Sequence, residues 1–120
     1  MFFFAFLAIF CYDEDMKYMD YTEILKIIAE GGRNMKVVEI YYPKTDSNPA
    51  GWREIEPYSL SIDPAGEHLI YDQDRLSPGH IFNGYDIKSR KKHCSSFIIG
   101  KIKQARLTNK KFSPRWDIEF

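Results

Sequence analysis

Two stretches of the sequence decide the fold: VVEIYY at positions 37–42 and WREIEPYSLSI at positions 52–62. The first is rich in β-branched and aromatic residues, which suit a pleated, half-buried strand. In the second, hydrophobic residues alternate with Ser59 and Ser61, the period of two typical of a strand. The residues between them, PKTDSNPAG at 43–51, are typical of turns. The sequence therefore predicts two strands joined by a loop.

Upstream of these strands, the sequence predicts one short helix. Asp20 and Glu23 have the spacing of a capping box, in which each side chain satisfies a backbone amide of the first turn. Gly31 and Gly32 predict a left-handed stop at the other end. The helix is expected to be about ten residues long and must pack on something to be stable. Its apolar face is formed by Tyr21, Ile24, Leu25, Ile27 and Ile28, which recur at helical spacing.

Downstream, the sequence predicts further short strands. DPAG at 63–66 has the residues of a type I turn, so HLIY at 68–71 is expected to return as the hairpin partner of the second strand. Residues 72–85 are predicted to form a long loop, and two more strands are expected at 94–99 and 101–108. One helix followed by about five strands predicts an α+β domain with a small, strongly bent sheet or partly open barrel, and disfavours a βαβ fold.

Three spaced blocks of residues resemble the WYL domain family. The first is REIEPYSL at 53–60, preceded by VEIYY at 38–42. The second is SFIIGKI at 96–102, and the third combines LT at 107–108 with KF at 111–112. The blocks follow the predicted helix in the family's order, and the tripeptide that names the family corresponds to Glu67-His68-Leu69.

The resemblance implies a short N-terminal helix packed on a small five-stranded SH3-like (Sm-like) β-barrel. It also implies a ligand-sensing module in transcriptional regulation or in DNA-related defence or repair. By position, Arg53 is implied to contact a ligand phosphate, Lys101 to fill an arginine position, and His68 to stack on a base or to hydrogen-bond a ligand. The alternatives are a cross-strand ion pair for Arg53 and a simple surface role for His68.

The basic residues are concentrated near the C-terminus, although Lys+Arg and Asp+Glu both number 17. No carboxylate lies between Lys88 and Arg115. Lysine and arginine contacts to phosphates give salt-dependent affinity for nucleic acid. Lys101 and Lys103 are expected to share one face of a strand. This basic block predicts an anion-binding surface formed by Arg90, Lys91, Lys92, Lys101, Lys103 and Arg106. The alternatives are lysines that protect an edge strand and a surface that docks a partner protein.

No group of residues indicates an enzyme, a metal site or a cofactor. Glu54 and Glu56 are expected to be exposed surface acids, and they lack the setting that raises one pKa of a catalytic pair. The three histidines lack zinc-ligand spacing, and Ser95-Ser96 lacks a nucleophile elbow. The two cysteines are too few for a disulfide framework and favour a reducing cytoplasm.

The N-terminal extension, residues 1–15, differs in composition from the single domain predicted at 16–120. Twelve uncharged, mostly apolar residues precede Asp13, Glu14 and Asp15. The run is shorter than the roughly 20 residues of a membrane span, and it lacks the basic start and cleavage site of a signal peptide. An over-extended gene start, a packed segment and a weak membrane anchor remain open, and membrane association is not expected.

The leading hypothesis is a non-enzymatic WYL-like module that binds single-stranded nucleic acid or a nucleotide-like effector. The alternative is a protein-interaction or assembly module without a nucleic-acid ligand. In that case the acidic part, residues 1–87, would contact the basic part of a partner protein or of a second copy in a homo-oligomer.

Overall fold

In the computed structural model, which describes residues 17–46, 48–61, 68–71, 75–78 and 80–120, one helix precedes seven strands. The helix α1 spans Tyr21–Asn34. A short 3-10 turn, Ile99–Lys101, lies between the last two strands. The strands are β1 (Lys36–Tyr42), β2 (Gly51–Ser61), β3 (His68–Tyr71), β4 (Arg75–Pro78), β5 (Ile81–Asp86), β6 (Ser95–Ile98) and β7 (Gln104–Lys111).

Five of these strands form one antiparallel sheet in the order β6-β5-β2-β1-β7. The central strand β2 places Ile55 opposite Val38 of β1 and Asp86 of β5. The predicted α+β class, one helix on a five-stranded sheet, is confirmed. In the described pairings β6 and β7 are edge strands that do not pair with each other, so the sheet is open and the expected barrel closure is not present there.

The hydrophobic core lies between α1 and one face of the sheet, called here the inner face. Ile24 and Ile28 of the helix are fully buried, as are Ile40, Ile55 and Phe82 of the sheet. Complete burial of each such side chain contributes roughly 1.5–3 kcal/mol. The apolar periodicity of the helix therefore predicted the correct packing face.

The ends of α1 differ from the prediction. Asp20 precedes the helix but makes no capping hydrogen bond with its side chain. Gly31 and Gly32 lie inside the helix, whose last residue is Asn34, and the C-cap residue Met35 adopts the left-handed conformation. A Cβ on Gly31 would lie 2.5 Å from Cγ1 of Val38, so the glycine allows the helix to approach the sheet closely.

The strand pairing also corrects two predictions. The predicted turn at 63–66 lies outside the described residues, but β3 pairs with β4 and not with β2. The place beside β2 is taken by β5, whose Ile81 lies opposite Ser61. Residues 72–85, predicted to be a loop, include β4 and most of β5.

The C-terminal segment, residues 112–120, packs on the opposite face of β2, called here the outer face. The Glu119 amide donates to the Tyr58 carbonyl at 2.8 Å, and the Arg115 amide donates to the Tyr58 hydroxyl at 2.9 Å. Arg115 Nε donates to Oε1 of Glu56 at 3.2 Å, and the same oxygen accepts from the Tyr58 hydroxyl at 2.8 Å. Burial, together with the Glu56 carboxylate, raises the pKa of Tyr58 to about 12. The segment thus holds a buried acid and a neutral tyrosine on β2.

The segment ends with Phe120 against the helix, where a Cβ on Gly32 would overlap the Phe120 ring. We expect Gly32→Ala to destabilise the protein, because overpacking typically costs about 1–3 kcal/mol and exceeds the gain of roughly 1 kcal/mol in helix propensity. In a Phe120→Ala background the overlap is absent, so the same substitution should be neutral or stabilising. Urea unfolding of the four proteins measures this coupling, and a Gly32→Ala effect of equal sign and size in both backgrounds would contradict it.

Candidate anion-binding cleft

A cleft of about 340 Å³ opens between the β1–β2 loop and the β5–β6 loop, and it is called here the Arg53 cleft. Arg53 reaches it from β2, on the same face of the strand as the buried Ile55. Its described lining residues are Tyr42, Thr45, Asn48, Arg53, Asp86, Ser89, Lys91, His93, Cys94, Ser95, Ser96 and Phe97.

Arg53 is the central cation of the cleft and is only 8% exposed. Its Nη2 donates to the carbonyl oxygens of Pro43 at 3.1 Å and Pro49 at 3.5 Å. Its guanidinium carbon lies 5.1 Å from the ring centre of Tyr42 and 6.0 Å from that of Phe97. Its Nε is buried and has no hydrogen-bond partner in the described part of the chain. The guanidinium is therefore held by carbonyl dipoles and ring faces.

The β5–β6 loop brings a second cation to this cleft. The Lys88 amide donates to Oδ1 of Asp86 at 3.1 Å, and the Ser89 hydroxyl donates to the Asp86 carbonyl at 2.8 Å. These bonds form a tight turn directly after β5. Arg90 follows in the left-handed conformation, with a φ of 54°, and Lys91 then lines the cleft.

Asp86 is a buried carboxylate in the same cleft, with 6% exposure. No ion pair within 4 Å joins it to Arg53 among the described residues, and its bond to the Lys88 amide orients it from the loop side. The cleft consequently combines one acceptor-only group with the cations Arg53 and Lys91. Such a set can bind an anion and also accept a hydrogen bond from a hydroxyl or amino group of the same ligand.

Two further lining groups remain uncharged. The Tyr42 hydroxyl accepts a hydrogen bond from the Ile98 amide at 2.9 Å, and burial raises the pKa of Tyr42. Burial, followed by the charge of Glu56, raises the pKa of the Cys94 thiol. Because the thiolate is the nucleophilic form of cysteine, Cys94 is suited to packing and not to nucleophilic attack.

A smaller cleft of about 170 Å³ adjoins the first and is called here the Trp52 cleft. Asn48, Arg53 and Asp86 line both clefts. The smaller one continues along Pro49, Ala50, Gly51 and Trp52 to Lys88.

The structure brings together two of the eight predicted binding residues. Arg53 and Lys91 line the Arg53 cleft. Arg90 and Lys92 belong to the same β5–β6 loop and are exposed, but neither is among the described residues that line the Arg53 cleft. His68 begins β3, and its side chain lies outside the described part of the chain.

The remaining three predicted residues lie elsewhere. Lys101 is the last residue of the 3-10 turn, and Lys103 precedes β7, so the predicted strand face with both lysines is wrong. Lys103 Nζ lies 5.6 Å from the ring centre of Tyr18. Arg106 lies on β7, where its guanidinium stacks 3.7 Å from the ring centre of Trp52.

The outer face of the sheet neutralises part of the basic block. Lys110 Nζ donates to Oε2 of Glu54 at 2.6 Å, and Lys88 Nζ lies 3.9 Å from the other oxygen. Arg106 Nε lies 3.4 Å from Oε1 of Glu39. The carboxylates that are absent between positions 88 and 115 are thus supplied by β1 and β2. Since β7 is an edge strand, Arg106 and Lys110 also occupy the position expected for edge protection.

The two acids of β2 have different surroundings. Glu54 is partly exposed, whereas Glu56 is 4% exposed and bound to Tyr58 and Arg115. The expectation that both are exposed surface acids is wrong for Glu56. Tyr58, Tyr85 and Phe97 are buried as well, so these three aromatic residues do not form a stacking surface for a single strand.

Among the described residues, no group of three or more His, Cys, Asp or Glu side chains is placed to hold a metal ion. No helix in the described part of the chain is long and apolar enough to cross a membrane.

No protein-family model matches the sequence, and no curated protein is significantly similar to it. The resemblance to the WYL family thus stays a prediction from the residues.

The ion pairs of the outer face predict a specific pH dependence. The hydrogen bond from Lys110 holds the pKa of Glu54 below its ordinary value of 4.5. The stabilisation from Glu54 is therefore complete above the unfolded-state pKa and is lost as the pH falls through the lower folded-state pKa. We expect Glu54→Gln to be destabilising at neutral pH, with a difference from the wild type that shrinks as the pH falls below 4.5.

Urea unfolding across this pH range tests the expectation. Glu30→Gln, at an exposed position of α1, is the control for removing an acid elsewhere. A difference between Glu54→Gln and the wild type that does not change with pH would contradict the assignment.

Proposed function

We propose that this chain is a non-enzymatic, WYL-like binding module that holds a nucleotide-type anion, with the phosphate in the Arg53 cleft. The ligand would be a nucleotide or part of a single strand. The relation to SH3-like barrels, and a role in transcriptional regulation or in DNA-related defence or repair, belong to the same proposal and rest on the residue resemblance.

The observation that supports the proposal best is a buried guanidinium with no carboxylate within 4 Å in the described part of the chain. Buried charges are normally paired, because an uncompensated charge is costly in a protein interior. Among the described residues, the contacts of the Arg53 guanidinium are with two carbonyl oxygens and two aromatic rings, and its Nε–H is unsatisfied. Asp86 lines the same cleft but forms no ion pair with Arg53 within 4 Å. A phosphate oxygen would supply both the missing charge and an acceptor. Because the Nε is buried, the guanidinium would turn toward the cleft to use this donor.

The rest of the cleft suits such a ligand. Lys91 adds a second positive charge, and Ser89, Ser95 and Ser96 line the cleft with hydroxyl groups. The volume of about 340 Å³ lies within the roughly 300–1,000 Å³ of typical small-ligand sites. Asp86 repels a phosphate but can accept from a sugar hydroxyl or a base amino group, which would fix the orientation of a nucleotide.

Fluorescence polarisation with a short labelled thymidylate strand, competed by thymidine 5′-monophosphate, tests the proposal. Arg53→Lys keeps the charge and loses the planar fork, so we expect affinity to fall about tenfold or more. Lys91→Gln should weaken binding about two- to fivefold. Lys92→Gln removes an equal charge beside the cleft and should change affinity less than twofold, about the scale of a weak surface contact.

Binding should also weaken as the salt concentration rises. No binding of either probe at micromolar protein would overturn the proposal, as would equal effects of Lys91→Gln and Lys92→Gln. Circular dichroism of each variant separates lost binding from lost folding. Sedimentation at several protein concentrations would then examine the assembly alternative.

A further inference from the structure

A groove of about 630 Å³ runs along the exposed side of α1, from the first turn of the helix to the last, and it is called here the α1 groove. Its apolar residues are Leu25 and Ala29 of the helix and Leu60 of β2. Leu25 and Ala29 are half-buried, and Leu60 is 38% exposed. None of the described residues that line this groove lines the Arg53 cleft, so the two surfaces are separate.

Three charged side chains border the apolar residues of the α1 groove. Lys26, Glu30 and Arg33 line the groove and are exposed. Exposed apolar surface with a polar border is typical of a contact between proteins. Because the charged side chains are solvated, they would hold a small ion weakly. The groove therefore suits a second protein surface better than a small ligand.

The charges along the exposed side of α1 are self-complementary. From the N-terminus, Glu23, Lys26, Glu30 and Arg33 alternate in sign, with spacings of three, four and three residues. Read in the opposite direction, the spacings are the same and every sign is reversed. A second copy of α1 in antiparallel orientation would therefore place an opposite charge beside each of the four.

We propose that this chain forms a homodimer in which two α1 helices pack antiparallel through their grooves. With the two-fold axis level with Ile28, Lys26 faces the partner's Glu30. The same alignment places Glu23 opposite the partner's Arg33. Two-fold symmetry makes every such pair occur twice.

The contacts within one chain leave these side chains available. Lys26 Nζ lies 3.9 Å from Oε1 of Glu23, but the two side chains are 69% and 57% exposed. An exposed pair of this kind contributes little and can exchange partners. The apolar residues Leu25, Ala29 and Leu60 would lose solvent contact beside the charge pairs, and this burial supplies the favourable free energy.

The length of α1 sets the expected strength of the dimer. A helix of 14 residues is about 21 Å long. The contact between two such helices belongs at the small end of specific interfaces, near roughly 1,200 Å² or below. We therefore expect a reversible dimer with a Kd on the order of micromolar.

The edge strand β7 is a less suitable contact for a second copy. It contains Arg106, Lys110 and Lys111 and no acidic residue. Natural sheets use such lysines to prevent pairing between edges. The self-complementary charges of α1 favour the helix surface instead. This interface also differs from the contact between acidic and basic parts that the sequence suggests.

Sedimentation of the full chain at several concentrations and at low salt tests the proposal. Lys26→Glu places an acid opposite the partner's Glu30, and Glu30→Lys places a cation opposite the partner's Lys26. Each variant alone should dimerise about tenfold more weakly or worse, because each change acts twice in the dimer. An equimolar mixture of the two variants should recover the wild-type Kd, since both pairs of the mixed dimer are again of opposite sign.

The mixture separates the interface from the helix itself. Each single variant also places like charges four residues apart on its own α1, which weakens a helix slightly. Mixing two proteins cannot repair a pair within one chain, so recovery in the mixture reports contact between chains. Circular dichroism of each variant measures any loss of folding.

Two further variants examine the location of the interface. Leu60→Ala should weaken dimerisation about fivefold, because apolar area is lost from both grooves. Lys111→Glu reverses an exposed charge on β7 and should leave the Kd unchanged. A Lys111→Glu effect as large as that of Lys26→Glu would overturn the proposal.

Two other results would also overturn it. The first is a wild-type chain that stays monomeric at about 100 μM, well above a micromolar Kd. The second is association that neither Lys26→Glu nor Glu30→Lys changes, which would place the contact elsewhere, for example at the apolar residues 1–12. The outcome is independent of the proposed function, because binding of the thymidylate strand depends on Arg53 and should be unaffected by Lys26→Glu.

Discussion

The two-sided burial of the central strand β2 constrains the rest of the structure. Its inner face is covered by α1, and its outer face is covered by the C-terminal segment, where Arg115 contacts Glu56 and Trp116 contacts Tyr58. A strand buried on both faces normally carries apolar residues throughout, yet β2 also carries Arg53 and Glu56, which are 8% and 4% exposed. The surrounding elements must therefore compensate two buried charges of opposite sign.

The two buried charges, on Glu56 and Arg53, are compensated to different degrees. Glu56 accepts from the Tyr58 hydroxyl and from Arg115, so its negative charge is matched by a cation. These contacts give Glu56 a structural role, because they attach the C-terminal segment to β2. Arg53 has carbonyl oxygens and ring faces but no carboxylate within 4 Å among the described residues. For Arg53 the described part of the chain supplies no such cation–carboxylate pair within 4 Å, and this difference is the basis of the proposed anion site.

The sequence predicted the elements with strong periodicity and missed those whose residues act through tertiary contacts. The bounds of β1 and β2 agree with the pattern within one residue, because alternation and β-branching are local signals. The strand β5 was missed because Asn83 and Gly84 are typical of turns. In the structure, Asn83 donates to Ser59 at 3.1 Å across the sheet, and a Cβ on Gly84 would overlap Ile55. Neither contact can be recognised before the partner of β2 is known.

The same dependence on pairing explains why the sequence could not show which of the predicted cations have acidic neighbours. A run of cations without local acids looks uncompensated in sequence, but adjacent strands place Glu39 and Glu54 beside Arg106 and Lys110. These exposed pairs are screened by solvent and salt, and they reduce the field that a distant anion would meet. Among the described residues Arg53 has no carboxylate within 4 Å, and its side chain is buried, where a charge interacts more strongly than at the surface. One buried arginine is therefore a stronger indication of an anion site than a longer run of exposed lysines.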